Sequence, residues 1–252
     1  MISSPRKVVL VAVSRTPIGK LGGKLRKLSA TALGAHVLAC AIRKARIINQ
    51  SQIDSIVFGH AVQSFFEPNT ARVAAQRAGL PDSIEAFTVQ HQCASGMNAA
   101  HAIFSAIRQG SIALGLAVGV ESMSLPPLIV AGSERYKGLN LWLTQRSPKA
   151  IRKLFKTYGP LPFFGLAESG LGPRDLARDP NTLNMMKTAQ IVANLLNVSR
   201  DDADEFAARS QANAIAAQQS GRLALEIDPL VIPGVGLVEH DEHPRVTDRK
   251  TL

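Results

Sequence analysis

The feature that constrains this chain most is an alternation of short apolar runs with helical stripes between Lys7 and Val120. Lys7 to Val13 reads KVVLVAV, a β-rich run suited to a strand buried on both faces, and it ends at Ser14-Arg15-Thr16-Pro17. From Ser29 to Arg46, Leu33, Val37, Ala41 and Ala45 recur at steps of four beside Leu38 and Ile42. That is one face of a helix, with Arg43, Lys44 and Arg46 in its last turn, where cations suit the negative end of the dipole. Ile53 to Gly59 reads as a strand, Asn69 to Ala78 as a helix and Ala86 to Gln90 as extended. Ser95 to Gln109 is helical again, closed by Gly110 as a C-cap, and Ile112 to Val120 returns to a buried strand. Strands alternating with helices predict an α/β layer with a largely parallel sheet and right-handed crossovers.

Beyond Glu121 the alternation breaks into prolines, scattered glycines and a basic-aromatic patch. The pattern predicts an insertion that covers one end of the sheet, where a ligand is expected. Within it, Ser147-Pro148 supplies an N-cap and a first-turn proline, and Ile151, Leu154, Phe155 and Tyr158 fall on one helical face. Thr188 to Leu196 and Asp201 to Gly221 read as two more helices. Ser199 is placed to cap the second, and Asp201, Asp202, Asp204 and Glu205 suit its positive end. Glu226 to Val231 reads as a strand and Pro233-Gly-Val-Gly236 as a loop.

The chain's 252 residues, 46% of them hydrophobic, are enough to bury a sizeable core. The net charge of +10 is concentrated in Met1–Lys27 and Arg135–Tyr158, each with seven Lys or Arg and no acid. Such surfaces attract phosphate groups. No nucleic-acid motif or regular spacing of stacking aromatics accompanies the charge, so nucleic acid is not an expected partner. No apolar run approaches the length of about 20 residues that spans a bilayer, so no transmembrane segment is expected and a cytoplasmic location is the default. Cys40 and Cys93 lack disulfide-framework or zinc-ligand spacing and are expected to be free thiols. Glu239-His240-Asp241-Glu242-His243 matches no zinc helix spacing, so no metal is expected there.

The chemistry centres on Cys93. The segment Thr88-Val-Gln-His-Gln-Cys93-Ala-Ser-Gly-Met-Asn runs from an extended stretch directly into a helix. The thiol is thereby placed near a helix N-terminus, where unpaired amides favour a thiolate and are positioned to bind a developing oxyanion. Ser95 and Gly96 keep the turn small enough for a carbonyl to approach. His91 lies two positions away but, in an extended segment, faces the opposite side, so it is not named as a base. On its own the pattern also fits a buried structural cysteine.

Five segments carry a family resemblance. Ser14-Arg-Thr-Pro-Ile-Gly19 resembles the opening motif of thiolases, and Cys93-Ala-Ser-Gly-Met-Asn-Ala resembles their nucleophile motif. Gly119-Val-Glu-Ser-Met-Ser124 is similar to the run after the nucleophile helix, Ser199 to Gly221 to a helix of the family, and Asp241-Glu-His-Pro-Arg245 to a signature just beyond it. The resemblance implies a layered α/β/α half with a mixed, largely parallel sheet. Its parts are an α/β core at residues 1–120, an inserted loop domain at 121–238 and, at 239–252, the start of a linker to a carboxyl-terminal half. It implies acyl transfer between coenzyme A thioesters, acetyl-CoA or acyl-CoA, through an acyl-enzyme on Cys93, with no covalently bound cofactor. Asn184-Met185-Met-Lys-Thr-Ala189 aligns with a His-Met-Gly-x-Thr-Ala motif, so Asn184 and Met185 are candidate substrate contacts; Met185 filling core space is the alternative.

Departures from the family pattern qualify this. Family members continue into a second half that supplies a histidine from Gly-His-Pro and a second cysteine from Cys-x-Gly, and neither motif is here; His243 belongs to another motif. Asn184 stands for histidine, Met186 for glycine, and Pro233-Gly-Val-Gly236 for an Arg-Lys-Gly turn near the nucleotide phosphates, for which Arg146 and Lys149 are the candidate substitutes. The chain is therefore expected to be a truncated form, partnered by itself as a homo-oligomer or by a complementary carboxyl-terminal half. The competing expectation is a non-catalytic homologue acting as an interaction protein.

Overall fold

The computed structural model describes residues 6–64, 66–126 and 185–247. The chain divides into two compact units, residues 1–125 with 200–252, and residues 126–199. Asn184, Arg146, Lys149 and the helix expected after Ser147 lie outside the described residues.

In the first unit, α1 (Ala30–Lys44), β1 (Ser55–Gly59), α2 (Thr70–Arg77), β2 (Glu85–Val89), α3 (Ser95–Gln109) and β3 (Gly115–Gly119) follow in order. The three strands form a parallel sheet, order β2-β1-β3, with Ser55 opposite both Glu85 and Gly115. All five residues of the central strand β1 are buried. Alternation along it sorts the core. Ile56 and Phe58 pack with Leu38 and Ile42 of α1 and Ala71, Ala74 and Ala75 of α2. Val57, pointing the other way, packs with Ala99 and Ile103 of α3. The sheet thus lies between a two-helix layer and α3, the α/β/α layering that the family resemblance implies.

The helix ends follow their capping residues. Ser29 accepts the Ala32 amide to start α1. Asn69 accepts the Arg72 amide to start α2, while its side-chain amide donates to the Ala86 carbonyl at 2.9 Å, tying the helix to β2. Gly110 ends α3 at φ 83°, a conformation favouring glycine. Asp54 accepts the amides of Ala113 and Leu114 at 2.7 and 3.0 Å and so fixes the entry to β3; those two bonds hold its carboxyl below the usual range.

After the 126–199 unit, whose described helix is α4 (Met185–Leu195), the first unit resumes with α5 (Arg200–Gln219) and the antiparallel pair β4 (Leu230–Ile232) and β5 (Gly236–Val238). α5 begins directly after Ser199, with Asp201 and Asp202 in its first turn. The expected strand at Glu226–Val231 is displaced. Glu226 closes a 3-10 turn, and the strand begins only at Leu230, because Gly234 and Gly236, at φ 76° and 94°, close a hairpin that draws Leu230, Ile232 and Val238 onto Leu25 and Leu33.

One prediction is overturned. Lys7–Val13 forms no strand, and Val9, Leu10, Val11 and Val13 are 58 to 81% exposed. Composition makes this run a good strand, but a strand needs a neighbour to complete its ladder. Here the segment is held at its ends: the Arg6 amide donates to the Arg108 carbonyl at 3.2 Å, and Arg15 exchanges backbone bonds with Glu226 and Asp228. Lys44 Nζ reaches the Val13 carbonyl at 3.4 Å.

Candidate active site

Cys93 stands on the turn between β2 and α3, and it is exposed, whereas Cys40 is buried in α1; both are free thiols. The turn owes its shape to Gln92, whose φ of 48° is left-handed. A non-glycine residue adopts that region at a cost. The Ala94 amide returns to the His91 carbonyl and the Ser95 amide to the Gln92 carbonyl, both at 3.0 Å, so the chain turns from strand to helix within four residues. The regular alternation of an extended segment therefore does not carry past Gln92. His91 is itself exposed, and its amide donates to Ser95 Oγ at 2.8 Å.

Two strand ends seat this turn. A Cβ on Gly59, the last residue of β1, would lie 2.2 Å from the carbonyl carbon and oxygen of Ser95, so only glycine admits the backbone of α3 this close. Gly96 meets Gly119, the end of β3, with an added Cβ 3.4 Å from its Cα. The Cys93 turn thus rests on the carboxyl ends of the two parallel strands, where ligand sites of open α/β sheets form. Ala94, the N-cap, offers no side-chain acceptor. Among the described residues, the first-turn amides of Gly96 and Met97 donate to no carbonyl, which leaves polarised donors at the end of α3 beside Cys93. A groove of about 470 Å³ runs along the same helix, lined by His91, Ala94, Met97, Asn98, His101 and Phe104 among others; Met97 is 78% exposed.

The other motif residues act as braces. Arg15 grips Asp241 and Glu226, Ser14 donates to Asp228 at 2.6 Å, and Lys44 pairs with the same Asp228 oxygen at 2.7 Å. Burial opposes ionisation of Asp228, but Lys44 and Ser14 outweigh it, so its carboxyl lies below the ordinary value. Glu121 accepts the amides of Ala61 and Val62 and pairs with buried His60 at 3.1 Å. Its burial is likewise outweighed, by His60 and those amides, and its carboxyl is lowered. Ser122 donates to the Leu28 carbonyl, and Ser124 accepts the Gly22 amide. A separate cavity of about 230 Å³ lies beside His60, Glu67 and Thr70.

Met185 opens α4 and is 74% exposed, so it does not fill a core position. Asn184, just before it, is outside the described residues. Among the described residues, no helix is long and apolar enough to cross a membrane. Sequence reasoning missed the Ser95 hydroxyl and the Gly59 seat. The signal available was the Phe-Gly ending of β1 paired with small residues after Cys93.

Fold and site together define a layered α/β domain that presents one exposed thiol at the N-terminus of a helix. The family model described as "Thiolase, N-terminal domain" matches residues 8–158 and 165–249, and the chain belongs to the thiolase family. It is 37% identical over 246 residues to a beta-ketoadipyl-CoA thiolase of Pseudomonas aeruginosa, covering 95% of this chain and 56% of that one. With an acetyl-CoA acetyltransferase of Syntrophomonas wolfei it shares 33% identity over 244 residues, 95% of this chain and 56% of the relative. The crystal structure of the Bacillus anthracis acetyl-CoA acetyltransferase superposes with a TM-score of 0.78 at 29% identity, covering 98% of this chain and 58% of that chain. The chain therefore spans about half the length of the curated relatives it matches.

Proposed function

We propose that this chain carries the acyl-accepting half of a thiolase reaction, with Cys93 as the nucleophile. The observation that carries this is the exposed thiol on a left-handed turn, placed before a helix whose first-turn amides are open. In acylation the Cys93 thiol gives up its proton and its sulfur bonds to the carbonyl carbon of an acyl-CoA. The bond from that carbon to the coenzyme A sulfur breaks, and the departing thiolate takes up a proton. The open amides of α3 offer hydrogen bonds to the oxygen that becomes negative in between. A second nucleophile, coenzyme A in cleavage or an acetyl-CoA carbanion in condensation, then removes the acyl group.

The relatives' names, an acetyl-CoA acetyltransferase and a beta-ketoadipyl-CoA thiolase, support coenzyme A thioesters as the substrate class. The partition at 1–120, 121–238 and 239–252, the insertion returning toward the core at its end, remains the reading of the domains; the separate compactness of residues 126–199 and the grouping of 200–252 with the core support it. Asn184 and Met185 are retained as contacts to the acyl and pantetheine chain on motif alignment, and the exposure of Met185 is compatible with that role. A cytoplasmic location follows the same reading. For partners, the exposed row Val9, Leu10, Val11 and Val13 favours assembly with a second copy or with a carboxyl-terminal thiolase half. The same row favours the alternative reading, a non-catalytic homologue acting through that surface.

Exchange of labelled coenzyme A into acetyl-CoA requires only acylation and its reversal. The unsubstituted protein is expected to catalyse it and Cys93→Ala to lose it. Equal exchange in both would overturn the assignment of Cys93, and no exchange from folded protein would leave the interaction reading in its place.

A further inference from the structure

We infer that the outer face of α3 docks onto the same face of a second copy of this chain, the two helices packing antiparallel about a two-fold axis between Ala100 and His101. The 15 residues of α3 include one charged side chain, Arg108. A surface helix is ordinarily charged or polar on its outer side, and a helix apolar all round is a buried one. The inner side of α3 has its partner, since Ala99 and Ile103 are buried and pack with Val57 of β1. The outer side has none: Met97 is 78% and Phe104 41% exposed, and Ala100, His101 and Arg108 are exposed beside them. The groove of about 470 Å³ runs over Met97, Ala100, His101 and Phe104.

The spacing of this face says what fits it. Counted from Cys93 at the entrance to the helix, the exposed stripe continues through Met97, Ala100, His101, Phe104 and Arg108, at intervals of 4, 3, 1, 3 and 4. That series reads the same in both directions. A copy of the stripe laid antiparallel therefore matches every position, Met97 with Phe104, Ala100 with His101 and Cys93 with Arg108, as an isologous two-fold contact requires. Ala100 at the crossing lets the helix axes approach to about 8 to 10 Å. Charge agrees with the direction. Arg108 lies over the Phe104 ring at 5.9 Å, and no acid lies on α3. A parallel pair would set two Arg108 side chains together, whereas the antiparallel pair separates them and places the positive end of each helix beside the negative end of the other. One helix face is smaller than the area of about 800 Å² per partner found in stable complexes, so the association is expected to be weak, at about 1 to 100 μM.

The pairing stands on surface chemistry and does not depend on Cys93 as nucleophile. Its consequence for the site does: Arg108 of the partner subunit becomes a wall of each Cys93 turn.

Sedimentation equilibrium of the full chain from about 1 to 200 μM is expected to show monomer and dimer in exchange. Met97→Lys is expected to weaken association about tenfold or more and to leave the melt of the monomer in place, because Met97 is exposed before association. Disulfide capture with diamide reads the register. In a Cys93→Ala background, Ala100→Cys is expected to give an interchain disulfide, since the two copies of position 100 lie about 1.5 Å apart along the helix axes. Gln109→Cys in the same background is expected to give none, its copies lying about 25 Å apart. Arg108→Cys with Cys93 retained is expected to link to Cys93 of the partner subunit, a bond that cannot close within one chain because the two positions are about 20 Å apart along one helix.

A monomer throughout that range would overturn the inference, as would association unchanged by Met97→Lys, or capture through Gln109→Cys in place of Ala100→Cys. A chain that stays monomeric but binds the separately produced carboxyl-terminal half of a thiolase relative would give the face to that half and refute the second copy. Coenzyme A exchange is read separately. A dimer without exchange removes the acyl-transfer reading alone, and exchange by a monomer removes the pairing alone.

Discussion

Arg15 holds Asp241 in a two-pronged pair, Nη1 to Oδ1 at 2.8 Å and Nη2 to Oδ2 at 3.0 Å, joining two segments 226 positions apart in the chain. The same guanidinium reaches Glu226 at 2.9 Å, and Asp241 also accepts the Ile18 amide at 2.7 Å. Both segments resemble family motifs, and the first closes on the second through these contacts. Replacing Arg15 by lysine keeps the charge but loses the planar fork, and is expected to cost about 2 kcal/mol. Urea unfolding of Arg15→Lys checks this, and an unchanged midpoint would contradict it.

The Asp241 pair also sets an acid limit. Burial alone would raise this carboxyl, but Arg15 and the Ile18 amide outweigh it and hold it below its ordinary value. A carboxylate lowered on folding contributes stability that is fully present above its unfolded value, about pH 4, and is lost as pH falls through the folded value. The stability gap between wild type and Asp241→Asn is therefore expected to be constant from about pH 7 to pH 5 and to shrink below about pH 4. Urea midpoints measured across that range check the sign; a gap that widens on acidification would refute it.

Gly59 and Gly119 provide a graded pair. An added Cβ meets Ser95 backbone at 2.2 Å in the first case and Gly96 Cα at 3.3 Å in the second. Gly59→Ala is expected to destabilise by about 3 kcal/mol or prevent folding, because the obstacle is backbone, whereas Gly119→Ala should cost about 1 kcal/mol. Thermal melts of both variants test the order, Gly59→Ala losing more than Gly119→Ala; equal losses or the reverse order would refute it.

The exposed amino-terminal run makes the opposite kind of prediction. Leu10 is 81% exposed, so Leu10→Lys is expected to change the stability of the isolated chain by less than about 0.5 kcal/mol. A larger loss that grows with protein concentration would show that this run is covered in an assembly.

That run is also where sequence reading and structure part. The alternation between Ile53 and Val120 was legible because each strand there has a neighbour within the same stretch: β1 lies between β2 and β3, and Ile56, Val57 and Phe58 find helices on both sides. Lys7–Val13 has the same composition without a ladder partner among the described residues, and composition cannot report that. Cys93 was legible from the extended-to-helix junction and the motif around it. The Ser95 bonds were not: a serine two positions after Cys93 reads simply as a small residue, and its two bonds accompany the left-handed Gln92, which no periodicity announces. The roles of Arg15, Glu121 and Asp241 as braces likewise depend on contacts between distant segments.

Whether Cys93 accepts an acyl group is decided by intact mass after incubation with acetyl-CoA. One acetyl adduct is expected on the unsubstituted protein, located to the peptide containing Cys93 and absent from Cys93→Ala. An adduct that persists in Cys93→Ala, or no adduct on folded protein whose Cys93 still alkylates, would contradict it.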